Sequence, residues 1–144
     1  MNWRNRQNRF GSINDFAAFV LSDTPPTEDN LKRVAAEVSA TLTGLGYDSI
    51  DLFAVDGLHM MTFEIQDSEV IVGLSQEEPA VWSLHVQMLD PGLFGGTRDR
   101  RLAIVDRLNR HLHDALTARA DLKGIEWFQE RKVMPKQGTA RPMQ

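Results

Sequence analysis

The stretch from 50 to 89 constrains the fold most: it alternates with a two-residue period, and its interruptions are too short to hold helices. Ile50 to Val55 reads as a strand, and Asp56-Gly57 is a two-residue hairpin signal. Leu58 to Ile65 returns, with Met61, Phe63 and Ile65 on one face. Gln66 to Ser68 is a second tight turn, Val70 to Leu74 a third strand, and Ser75 to Pro79 a loop. In a fourth strand, Val81 to Leu89, the residues Trp82, Leu84, Val86 and Met88 alternate with Ser83, His85 and Gln87. Parallel neighbours would need crossovers of a dozen residues or more, so these strands pair as an antiparallel meander.

Helical periodicity flanks this region. Leu31, Val34, Ala35, Val38, Leu42 and Leu45 fall on one face of a helix over 31–45. Thr27 is its expected N-cap, and Gly44 and Gly46 supply the stop. A second helix, 97–119, carries the stripe Leu102, Val105, Leu108, Leu112 and Leu116. Ser12 with Asp15 three residues on resembles a capping box, which predicts a short N-terminal helix over 13–21. Gly124 to Phe128 offers a fifth strand. The expected fold is α+β: an antiparallel meander of four or five strands with helices 31–45 and 97–119 packed on one face. The other face would be partly open. Residues 1–10 read as a basic N-terminal tail, 11–129 as one domain and 130–144 as a C-terminal tail.

Charge is segregated along the chain. Residues 1–10 carry a net +3, residues 11–96 a net −12 and residues 97–144 a net +5. No Lys or Arg occurs between Arg33 and Arg98, and the whole meander lies in that gap. A surface of one sign attracts partners of the other and speeds their encounter. Asp51, Glu64, Asp67, Glu69, Glu77 and Glu78 are therefore the candidate contacts for a basic protein partner, in a module of immunity, inhibitor or secretion-chaperone type. The competing account is internal neutralisation by the arginines of helix 97–119. Nucleic acid is disfavoured: Arg98, Arg100, Arg101, Arg107 and Arg110 share that helix, but the chain is acidic and has no reading motif.

Signals of chemistry are weak. The chain has no Cys, which removes disulfides, a thiol nucleophile and Cys-based metal sites, and fits a cytoplasmic setting. No run approaches the length of a membrane span. His111 and His113 are two apart on a helix and point away from each other, and His59 and His85 lie on strands separated by a third. No metal and no cofactor is expected. The alternative to a binding module is a small hydrolase or anion-binding enzyme. It would use the Gly92–Thr97 loop, with Gly95, Gly96, Thr97 and Arg98 facing an anion, and the helix edge Asp106, Asn109 and His113. A homodimer through the open sheet face also fits this reading.

Overall fold

The computed structural model describes residues 13–21, 27–78, 81–89, 98–129 and 138–142. The element order is β1 (Ile13–Leu21), α1 (Glu28–Gly44), β2 (Asp51–Val55), β3 (Leu58–Ile65), β4 (Ser68–Glu78), β5 (Val81–Met88), α2 (Arg98–Thr117) and β6 (Leu122–Gln129). The class is α+β, and one antiparallel sheet of six strands has the order β2-β3-β4-β5-β1-β6. The meander is its β2-to-β5 half. No helix among the described residues is long and apolar enough to cross a membrane.

The helix expected over 13–21 is instead β1. Ile13, Asp15, Ala17, Phe19 and Leu21 are buried in strict alternation with half-buried Asn14, Phe16, Ala18 and Val20. Phe16 and Phe19, which a helical period would place on one side, lie on opposite faces. Aromatic and β-branched residues favour that pleated surface. Asp15 is no capping residue. It is buried under the helices, where Asn109 Nδ2 donates to its Oδ2 at 2.8 Å.

Both helices cover the same face. Leu31, Val34, Ala35, Val38 and Leu42 of α1 and Val105, Leu108, Leu112 and Leu116 of α2 share one core. The strands contribute Phe19, Met61, Phe63, Val72, Leu84, Trp82, Met88 and Trp127 to it. Thr27 caps α1, its side chain accepting from the Asn30 backbone. At the other end the Tyr47 amide donates to Leu42 O and the Gly46 amide to Thr43 O. Gly46 has φ +100°, the left-handed conformation this stop requires. Helix α2 links β5 to β6, which run parallel on either side of β1, a connection that needs a crossover.

Two further features bear on the expected layout. The face away from the helices is not open at its centre. Ile71 and Gln87 are fully buried there, with Met60 and Leu89 nearly so. Val70 to Leu74 is buried at every position, and a continuous run of that kind marks a strand covered on both sides. Among the described residues of the C-terminal stretch, 138–142 meet β6. Thr139 exchanges two backbone hydrogen bonds with Trp127, at 2.7 and 2.9 Å, and Pro142 is buried. Gly138 suits this contact, because a Cβ there would lie 2.7 Å from Glu126 Cβ.

Leu108 and Leu112 are wholly buried at the centre of α2's stripe. Truncating either to Ala should destabilise the protein by about 2–5 kcal/mol, read by denaturant titration. An unchanged midpoint for both would contradict this packing.

Candidate functional site

Three of the six acids singled out by the charge gap meet at one corner of the sheet. Asp51 opens β2, Glu64 sits near the end of β3, and Glu69 faces Glu64 directly across the β3–β4 ladder. With Asp48, Ser49 and Thr62 they line a shallow cleft of about 440 Å3. Asp67 adjoins them in the β3–β4 turn, where Gln66 and Asp67 both have positive φ (49° and 67°). Glu77 and Glu78 lie at the far end of β4, roughly 26 Å from Glu69 at the usual rise per residue. The six therefore form two groups. Asp48 was not among the six, because only the fold brings the loop after α1 beside β3.

Like charges facing each other across a ladder are unfavourable, and among the described residues no ion pair relieves this one. Among the described residues, Asp51, Glu64, Asp67, Glu69 and Glu78 make no ion pair. Two arginines bond other groups. Arg119 bonds Glu37 and Asp121, and Arg100 donates to Gln66 Oε1 at 2.9 Å. Arg101 is buried on the core side of α2, so the five arginines of this helix do not form one exposed stripe. Arg107 also lies close to the corner. It lines a neighbouring cleft with Tyr47, Asp48, Glu64 and His111.

Beside the acids runs β2, the outermost strand of the sheet. All five of its residues are exposed, and Leu52, Phe53 and Val55 each leave 40–43% of their surface in solvent. Sequence periodicity found this strand but could not show that it is an edge, since that depends on where β1 inserts.

Glu77 belongs to a different arrangement. His85 Nε2 contacts Ser83 Oγ at 2.8 Å and Glu77 Oε1 at 3.2 Å, beside the stacked rings of Phe16 and Phe128. In a hydrolytic triad the acid and the nucleophile occupy different ring nitrogens. Here both meet the same one, so the geometry holds Glu77 in place rather than activating Ser83. His59 and His85 project from opposite faces of the sheet, as their opposite partners Leu74 and Gly73 show.

The α2 edge is also internal. Asn109 is buried against Asp15, and His113 Nδ1 accepts from Trp127 Nε1 at 3.1 Å. Asp106 is half-buried. Of the proposed anion site, Gly95, Gly96 and Thr97 lie outside the described residues, and Arg98 is exposed at the start of α2. Two residues before His113, His111 Nδ1 lies within hydrogen-bonding distance of the Tyr47 hydroxyl, at 2.7 Å.

No protein-family model and no curated protein sequence matches the chain.

Burial pushes the pKa of His113 below the ordinary imidazole value, with Arg141 adding to the effect and Asp114 opposing it. Burial and then Arg107 do the same to His111. Burial raises that of Tyr47. The unfolded imidazoles therefore take up protons first as pH falls. Their contribution is complete above about pH 6.5 and is lost below it. Melting temperature should drop between about pH 7.5 and pH 5.5, and drop less when His111→Gln and His113→Gln are combined. An equal drop in that variant would contradict the assignment.

Proposed function

We propose that the chain is a protein-binding module that takes a basic protein partner on the corner formed by Asp48, Asp51, Glu64 and Glu69 and on the adjoining β2 edge. The observation that carries the reading is the coincidence of two features. Acids without an ion pair among the described residues sit next to an edge strand that leaves Leu52, Phe53 and Val55 in solvent. Charge alone would favour encounter without stable docking, and apolar area alone would favour self-association. Together they suit a partner with both basic and apolar side chains. A second copy of this chain fits less well, because its own acids would meet these. An immunity, inhibitor or secretion-chaperone role accommodates such a surface, and the absence of Cys suits an intracellular setting. The hydrolase or anion-binding alternative draws less support, since Asn109 and His113 direct polar atoms at Asp15 and Trp127.

Glu77 and Glu78 are secondary in this proposal, being roughly 26 Å from the corner. The test uses a fluorescein-labelled peptide of alternating Lys and Val, with a Glu–Val peptide as control. Its association rate should fall steeply as the screening length shrinks from about 30 Å at 0.01 M salt to about 10 Å at 0.1 M. Asp51→Lys combined with Glu69→Lys should slow association several-fold and leave stability within about 0.5 kcal/mol. Glu77→Lys with Glu78→Lys should have a smaller effect on the rate. A salt-independent rate would overturn the reading.

A further inference from the structure

The β2–β3 turn determines which backbone groups of β2 face outward. Asp56 and Gly57 have φ 48° and 79°, the type I′ geometry of a two-residue hairpin. In such a hairpin the closing pair, Val55 and Leu58, is hydrogen-bonded, and bonded pairs alternate along the ladder. Val55, Phe53 and Asp51 therefore bond inward to β3. Leu52 and Ala54 point their N–H and C=O groups away from the sheet. The register runs unbroken from Asp51 to Val55, and β2 carries no Pro, Lys or bulge of the kind that blunts an edge.

A second observation lies on the helix side of that edge. His59, opposite Ala54, is only 5% exposed, and its Nε2 has no hydrogen-bond partner among the described residues. It lines a cleft of about 390 Å3 with Leu52, Ala54 and the first turn of α1, where Glu28 and Asp29 are exposed. A buried polar atom without a partner is costly unless a ligand group meets it. Lys32 lines the same cleft, so the site suits one incoming cation rather than several.

We propose that an extended segment of the basic partner adds to β2 as a further antiparallel strand and sets one Lys or Arg side chain into the Glu28/Asp29/His59 cleft. The proposal rests on the binding-module reading above and specifies its geometry. Antiparallel addition continues the pairing of every described strand pair in the sheet. The added residues opposite Leu52 and Ala54 exchange backbone hydrogen bonds with them. Their side chains fall on the helix side, because directly opposed residues share a face. The same residues that bond to β2 are thus the ones that deliver the cation. Glu28 and Asp29 meet its charge, and His59 Nε2 accepts one of its N–H groups. The alternate side chains lie beside Phe53 and Val55.

The experiment compares the Lys–Val peptide in three forms: unmodified, N-methylated at the Lys amides, and N-methylated at the Val amides. Lys-methylation should weaken binding at least tenfold, and Val-methylation should change it little. Ala54→Pro removes one outward N–H and leaves the β3 ladder intact; it should weaken the unmodified peptide roughly tenfold. If that variant fails to fold, the methylated peptides still decide. Loss confined to the Val-methylated peptide, or equal binding of all three, would overturn strand addition. If equal binding keeps its steep salt dependence, the acidic corner survives and only the strand geometry fails. No binding of the unmodified peptide would overturn both.

Discussion

The architecture depends on the pairing of β1 with β5 on one side and β6 on the other. That insertion places the first strand deep in the sheet and leaves β2 at its end. Helix α1 must then cross the sheet to reach β2, and α2 must cross β1 to deliver β6. The two crossings put both apolar stripes on one face, where they close a single core with Trp82, Phe19 and Trp127. The Asp15–Asn109 bond fixes α2 against β1 inside that core. A buried carboxylate is tolerable there because a donor meets it.

The position of β1 also decides what the edges can do. β6 is partly covered, since Thr139 bonds to Trp127. β2 has no such cover among the described residues, and it holds three of their four exposed large hydrophobic side chains, Leu52, Phe53 and Val55. The acidic corner sits where β2 begins and β3 runs past it. A surface with one sign of charge resists self-association, so Asp48, Asp51, Glu64 and Glu69 guard an edge that would otherwise invite a second copy. The same charges would draw in a basic chain. In the proposed role, one set of side chains would serve both protection and recognition.

Local signals account for what the sequence revealed. The Asp56-Gly57 turn, the alternation of Trp82 to Met88, the Thr27 cap and the Gly46 stop each act within a few residues, and each was readable. β1 was misread because Ile13 to Leu21 is short, and its apolar residues fit a helical period nearly as well as an alternating one. Only pairing with residues some 70 and 110 positions away selects the strand. The acids were legible as a set, but their division was not. It follows from the length of β4, which separates Glu69 from Glu77. The His59 cleft was invisible for a related reason, because it forms only when α1 lies over β3.

Amide exchange along β2, followed by NMR, tests the central claim most directly. In the protein alone, the Leu52 and Ala54 amides should exchange much faster than those of Phe53 and Val55, which bond to β3. Adding the Lys–Val peptide should slow Leu52 and Ala54 selectively. Protection confined to the Glu77–His85 end, or Leu52 and Ala54 amides unchanged by a bound peptide, would contradict the account.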